Sequence, residues 1–485
     1  MADPIPISLG KGSNKGRHGP EGVAEFINAY VERLGEGGKV QWPIYAINGL
    51  EAFATLTLGD EIRAMLALDD TTLLIVSGRL LFSTNASGSP VVQVGGIPSD
   101  GFATMARNRE TPNPQVVIVS GGEWFIYQGG VLAQGTDADL PPPICVVEID
   151  GYFVFLIADG RWFISAIDAT TIDGLDFTSA QYSADANVMG STRGRELVIF
   201  GQRSTQWYVN NAANADFPFS LIQTASIGCY AAGSVAKIIL QPDSGEAVDS
   251  VIWAATDHEG TYNGVRVMNG YTGTRISTPE VDRLVRAEAD PAAIRAFAWT
   301  EDGHAFYCIT GTLFSMVWDS TTGQWHARKT YGSERWRPSC HAQIGQSHIF
   351  GDMTENLLYR SDPEVYTDVG DPIVWRVVSP PVHMFPNPFE VDALYIDALA
   401  GVGINSTTDS DANPQLMIDY SDDGGASFGG ERQADLGAEG QRHISVKERT
   451  FGRFGKDGVS FGLSCSAAVI KGVMGASIEA EKLRA

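Results

Sequence analysis

Positive charge is what this sequence has least of. Against 58 Asp and Glu it carries 34 Lys and Arg, a formal net charge of −24 and a pI near 4.6. Gripping a phosphate backbone takes clusters of Lys and Arg, so the balance excludes a protein that holds nucleic acid by charge. Cysteine is scarce as well: Cys145, Cys229, Cys308, Cys340 and Cys465 are odd in number and far apart, in apolar runs such as Ile144-Cys145-Val146-Val147. No CxxC pair exists, which excludes a disulfide framework and leaves Cys340, His341 and His348 without a second cluster to complete a metal site; buried free thiols are expected instead. No apolar run approaches a membrane span, and no charged start precedes an apolar segment, so the expectation is a protein made and kept in a reducing cytoplasm.

Glycine is plentiful. The 54 glycines follow no collagen period but, with 23 prolines, punctuate short apolar runs in a chain that is 44% hydrophobic. That is the pattern of an all-β protein, and 485 residues exceed what one ordinary core supports. The runs are Thr72 to Val76, Val116 to Val119, Tyr152 to Ala158, Glu196 to Phe200, Val251 to Ala255, Ala305 to Ile309 and His348 to Phe350, nearly all closed by a Gly turn. Most are followed by a second, aromatic strand, such as Glu123-Trp124-Phe125-Ile126-Tyr127 or Gln206-Trp207-Tyr208-Val209. One such hairpin cannot bury its own face, and repetition every 35 to 55 residues, as these starts show, marks a β-propeller. Seven blades are counted; merging the divergent fifth with the end units leaves six. Trp318-Asp319-Ser320-Thr321-Thr322-Gly323-Gln324-Trp325 resembles a kelch-like blade hairpin, its Asp and Thr serving their own turn.

A helical interlude is expected from Pro279 to Phe297, capped by Thr278 and packing Val281, Leu284 and Val285 on a blade. Beyond Tyr359 the composition shifts: Asp362 to Pro372 reads as a linker, and clean alternation in Leu416 to Tyr420 and Val459 to Leu463 predicts an antiparallel β-sandwich. The expected division is residues 1–45 as an N-terminal arm with a first strand, 46–370 as the propeller and 371–485 as the C-terminal β-sandwich. Lys11 to Arg17 has no apolar content and is expected to stay disordered until a partner holds it, and the acidic loop Asn405 to Asn413 to be exposed and mobile.

Enzyme signals are thin. Ser421 to Phe428 matches the S-x-D-x-G-x-[ST]-[FW] Asp-box of sialidase propellers, a hairpin device in which Asp423 holds turn amides, Gly425 takes the open dihedral and Phe428 covers the turn. A sialidase also needs an arginine cluster and a Tyr and Glu pair. Asp257 and Glu259 flank His258, but neighbours on a strand face opposite ways. No nucleophile elbow, P-loop or HExxH occurs. No catalytic, cofactor-binding or metal-binding residue is assigned, and the protein is read as no enzyme.

From Trp162 to Thr278 a series of short signatures falls in fixed order: Trp162 to Ser165, Ile172 to Phe177, Ala180 to Asp185, Leu197 to Gly201, Phe217-Pro218-Phe219, Gly228-Cys229 and Thr274 to Thr278. Their order and spacing resemble the phage stabilisation protein family, the tail hub or nozzle of short-tailed double-stranded DNA phages; Leu74 to Asn85 and Phe451 to Glu479 resemble its early and final strands. The resemblance implies a virion protein of the tail, assembled in the host cytoplasm into a ring expected to be hexameric. Its implied partners are the adaptor below the portal, a distal needle or plug, tailspike or fibre proteins, and genomic double-stranded DNA that passes the lumen without sequence-specific contact. An acidic wall that repels phosphates fits such a channel. The rival classes are a sialidase-like glycan-cleaving propeller and a receptor-binding tail adhesin.

Overall fold

In the computed structural model the described residues are 4–18, 21–34, 39–179, 185–212, 217–240, 246–406 and 410–483. Among them the chain is built from antiparallel strands, with one α-helix. The first repeating unit runs Ile62–Ala67, Thr72–Ser77, Leu80–Asn85, Val92–Gly96, each strand paired to the next. Units of the same form start at Ala103–Arg107, Pro143–Ile149 and Asn187–Arg193. In the fifth, the first strand is split into Gly228–Cys229 and Ala236–Leu240 by a 3-10 turn at Ala232–Ser234, which accounts for the longer period there. The sixth starts at Arg295–Glu301. The seventh takes three strands from Pro338–Ile344, Ser347–Asp352 and Leu357–Asp362, and its fourth, Gly49–Thr55, from the opposite end of the sequence.

The apolar runs found in the sequence are the second strand of each unit. Val116–Ser120 and His304–Thr310 are buried at every position because both sheet faces pack against neighbouring units, so they read as continuous apolar runs instead of alternating ones. Seven hydrophobic clusters each join two neighbouring units. Phe153, Phe155 and Phe163 of the third meet Val117, Val119 and Trp124 of the second, for instance, and Ile62, Leu73 and Ile75 of the first meet Ile344, Ile349 and Leu358 of the seventh. That last cluster closes the units into a ring, and the fold is a β-propeller.

An eighth cluster lies between two further layers, the first of them hydrogen-bonded onto the edge of the sixth unit by the parallel pairing of Ile27 with Ala327. One orders Glu25–Ile27, Trp375–Val378, Ser460–Cys465, Gln415–Ser421 and Gly429–Asp435; the other orders Ala29–Val31, Ile44–Ala46, Gly472–Lys482, Phe389–Ala398 and Val446–Phe454, with Ile5–Ile7 also on Gly472–Lys482. Strands Ile5–Ile7, Glu25–Ile27, Ala29–Val31 and Ile44–Ala46 thus form no free arm: they complete the C-terminal sheets, burying Phe26, Ala29, Val31 and Ile44.

The basic stretch is also held, by hydrogen bonds. Ser13 N–H donates to Trp325 O at 2.6 Å, Ser13 Oγ accepts from Phe26 N–H at 2.8 Å, and Lys15 N–H donates to Glu280 Oε2 at 2.8 Å. Gly12 has φ +64°, and a Cβ there would sit 2.9 Å from Trp325 O, so glycine is needed for the approach. The stretch expected as a linker is tied down likewise: Val369 N–H donates to Leu50 O at 2.8 Å, and buried Asp368 accepts from Thr330 Oγ1 at 2.8 Å with Arg337 3.4 Å away. Helix Pro279–Ala287 begins where expected, Thr278 Oγ1 accepting from Val281 N–H at 3.4 Å, but ends well short of Phe297 because Pro291 follows and Arg295 starts the sixth unit. Residues 180–184 of the signature series and 407–409 of the acidic loop lie outside the described residues.

Candidate functional site

The first strands of all seven units face a common axis and line a cavity of about 490 Å³. Met65, Met105 and Met189 give it an adaptable apolar wall. Four cations reach it: Arg63, Arg107, Lys237 and Arg295. Arg63, 6% exposed, staples the first unit to the second by donating to Gly101 O at 2.6 Å, Ser99 O at 2.9 Å, Gly78 O at 2.7 Å and Ser120 Oγ. Arg295 donates to Ala292 O at 2.5 Å and Ile294 O at 3.0 Å and sets its guanidinium 5.3 Å from the Phe102 ring, beside the start of the second unit. Burial lowers the pKa of both arginines from the ordinary value. Lys237 Nζ donates to Thr192 Oγ1 at 2.6 Å, and Arg107 to Leu68 O.

Arginines at a propeller axis are what a glycan-cleaving reading asks for, but these do not converge, Arg63 and Arg295 lying at the beginning of their strands and Arg107 at the end of its own, and the rest of that chemistry is missing from the described lining. No tyrosine lines the cavity, and its one carboxylate, Glu148, accepts from Gly151 N–H at 2.8 Å in its own hairpin turn. Arg63 is committed to three backbone carbonyls and a hydroxyl.

The other candidates resolve into turns and core. Asp423 Oδ1 accepts from Ala426 N–H at 2.9 Å and Ser427 N–H at 3.0 Å, Oδ2 from Ser427 Oγ at 2.6 Å, and these bonds hold its carboxyl far below the usual range. Gly425 at φ +88° leaves room only for Val23, and Phe428 lies 4.8 Å from the Arg376 guanidinium. The Asp-box therefore serves a hairpin of the C-terminal sheets, away from the axis. Asp257, His258 and Glu259 lie in a turn, not on a strand: Asp257 Oδ1 accepts from Glu259 N–H at 3.0 Å and Thr261 N–H at 2.9 Å, and His258 is exposed. His341 Nε2 and His348 Nδ1 are 3.1 Å apart, and burial pushes His341 down to about 3 and the Cys340 thiol up to about 12. Among the described residues no group of three or more His, Cys, Asp or Glu is placed to hold a metal, and no helix is long and apolar enough to cross a membrane. In the kelch-like hairpin Asp319 accepts from Thr321 N–H at 2.9 Å and Thr322 Oγ1 at 2.7 Å, as its turn requires, and its Oδ2 also lies 3.0 Å from His304 Nδ1, a buried pair that no sequence pattern signals. The axial cations were missed too, because each is a lone charge in a different first strand and no linear pattern joins them.

The sequence profile of a family described as "Bacteriophage P22 Gp10, beta-propeller" matches residues 45–366, which takes in all seven units. No curated protein matches the sequence. Among solved structures the chain is similar to the WD40 beta propeller domain of Doa1 (TM-score 0.38, 11% identity, 65% of this chain and 97% of that one). It is similar also to the computationally designed Ika8 protein (0.37, 12%, 64% and 100%) and to a chain of a mitotic checkpoint complex (0.42, 11%, 68% and 95%).

Proposed function

This chain belongs to the phage stabilisation family, that of the bacteriophage P22 Gp10 beta-propeller, and is a structural protein of the phage particle; on that footing we propose that it forms the tail hub, or nozzle. Copies assemble into a ring, a hexamer on the family's resemblance, below the adaptor and portal, and extend the channel through which packaged DNA is retained and then released on infection. The ring meets the adaptor on one side and the needle or plug and the spike or fibre proteins on the other. Its action is mechanical gating by assembly and involves no bond chemistry.

The family match across the whole propeller carries this reading. The charge balance supports it: with 58 acids to 34 bases the chain is acidic overall, so DNA is guided without being gripped. The lack of a tyrosine and a free carboxylate beside the axial arginines favours a framework role over glycan cleavage.

Electron microscopy of particles carrying a tagged copy is the test. Extra density around the axis of the tail, next to the portal, is expected; label on the capsid shell overturns the reading, and label only at fibre tips favours an adhesin. The purified protein is expected to show no salt-dependent affinity for duplex DNA, and tight binding with a steep salt slope overturns the passive wall.

A further inference from the structure

The outer strand of the third unit, Ile172–Ser179, departs from its counterparts. It pairs Ile172 with Ser165 and Phe177 with Phe163, so Asp173, Gly174, Leu175 and Asp176 bulge out where the partner strand has only Ile164. The outer strands of the first and fourth units carry one extra residue each, Val94 and Ile222. Bulges re-aim side chains, and this one holds Leu175 at 84% exposure, the highest of any large apolar side chain among the described residues, with Phe177 beyond it at 41%. The projection is braced. Asp173 Oδ1 accepts from Leu175 N–H at 2.9 Å, and Gly174 runs so close to the preceding connection that a Cβ there would sit 2.9 Å from Asp139 Cβ. Acids dominate the neighbourhood: residues 131–179 hold eight, among them Asp139, Asp173 and Asp176 at the bulge, against the single base Arg161, which pairs with Asp159.

A cleft of opposite character lies three units further round, at the sixth. About 670 Å³ in volume, it opens between the N-terminal strands, Gly472–Lys482 and the sixth unit's turn at Thr322 and Gln324. Leu9, Val40, Trp42 and Met474 give it apolar walls, Trp42 being 42% exposed, and Lys11 is the one charged residue of its described lining. Exposed Lys15 and Arg17 follow, and residues 7–20 contain no acid. Glu280 and Glu21 bond there to the backbone N–H groups of Lys15 and Arg17. The cleft has the volume to admit large side chains, and the acids around the bulge complement the bases beside the cleft. Two unlike patches on different sides of one subunit make a heterologous contact, the kind that generates a ring when the rotation closes. We infer that the Leu175 bulge of one copy seats in the Trp42 cleft of the next, with Asp139, Asp173 and Asp176 meeting Lys11 and Lys15. The inference rests on the ring proposed above and supplies its joint.

Sedimentation velocity of the full chain, from about 1 to 100 µM at about 50 mM salt to limit screening, is the test. The parent is expected to self-associate. Leu175→Asp, which spoils the bulge, and the Lys11→Glu, Lys15→Glu double variant, which spoils the cleft rim, should each associate about tenfold or more weakly. Leu58→Asp, at a leucine 71% exposed between the seventh and first units, should associate as the parent does. All the substituted side chains are exposed, so the variants are expected to keep the parent's melting temperature. Mixed one to one, the Leu175 variant brings an intact cleft and the lysine variant an intact bulge, so a dimer of near-parent affinity and nothing larger is expected. A parent that stays monomeric leaves bulge and cleft to other chains and overturns the inference, as do variants that associate like the parent or a mixture that fails to pair. None of these results bears on the position in the tail, which the labelled particles decide.

Discussion

Replacing Leu50 by alanine tests whether the strand Gly49–Thr55 closes the propeller. Leu50 is 2% exposed and belongs to a cluster with Phe297, Trp299, Trp336, Phe350 and Tyr359, side chains of the sixth and seventh units. Those rings brace one another: Trp299 and Trp336 are 6.0 Å apart by centroid, and Trp336 and Phe350 5.3 Å. A rigid aromatic wall cannot collapse into the space that a lost isobutyl group leaves, so the change costs about 3 to 4 kcal/mol, the middle of the range for buried leucines. Unfolding entropy of about 2.1 cal/mol/K per residue gives about 1 kcal/mol/K for 485 residues unfolding together, so the melting temperature should fall by about 3 to 4 °C. Thermal unfolding followed by tryptophan fluorescence reads this, with Val131→Ala on an exposed outer strand as the control, expected to shift by less than about 0.5 °C. A drop below about 1 °C for Leu50→Ala would mean that the ring does not depend on this strand, and the closure argument would fail.

Asp423→Ala should lower the melting temperature by freeing the amides of Ala426 and Ser427, without changing the oligomeric state. Its folded-state pKa is depressed, so its stabilisation is full above about pH 4 and is lost progressively as the pH falls toward the depressed value; a gap between parent and variant that does not narrow between about pH 5 and pH 2 contradicts the assignment. His341 is likewise depressed, to about 3, by burial and then by His348, so the folded protein takes up fewer protons than the unfolded chain. Its contribution is full above about pH 6.5 and falls as the pH drops toward 3, and His341→Gln should therefore lose less of its melting temperature than the parent between about pH 7.5 and pH 5; equal losses would show that His341 is not held neutral.

What the sequence made legible follows from how each strand is buried. Second strands such as Tyr152–Ile157 lie between two units, nearly every residue is apolar, and the run stands out. First strands carry weaker patterns: Ile62–Ala67 and Asn187–Arg193 have partly buried positions toward the axis, such as Met65 and Met189, and admit a cation at Arg63. The axial cations are therefore spatial neighbours drawn from residues 63 to 295, and nothing short of the closed ring brings them together. Residues 11–17 were unreadable for a different reason. Their anchors are backbone hydrogen bonds to Trp325, Ala24 and Glu280, which no apolar periodicity reports. The turn roles of Asp423 and Asp319, by contrast, were legible from residue types alone, since both bond to their own turns whatever the remainder of the fold does.

Two kinds of cation emerge, and the distinction bears on how the proposed ring would guide DNA. Those on the propeller axis face a cavity of about 490 Å³, room for a small ligand but not for a duplex, so they add no grip to any DNA path. In the ring proposed above, a path for DNA runs outside each propeller, between copies, where the surplus of acids decides the potential. Lys11, Lys15 and Arg17 are the second kind: the backbone between them is fixed on the sixth unit and on helix Pro279–Ala287, while their side chains remain exposed. Because that backbone is already ordered, pairing these side chains with acids of a neighbouring copy carries no further cost of ordering the chain. In the proposed ring the stretch offers exposed positive charge to a neighbouring acidic subunit on a backbone already set in place.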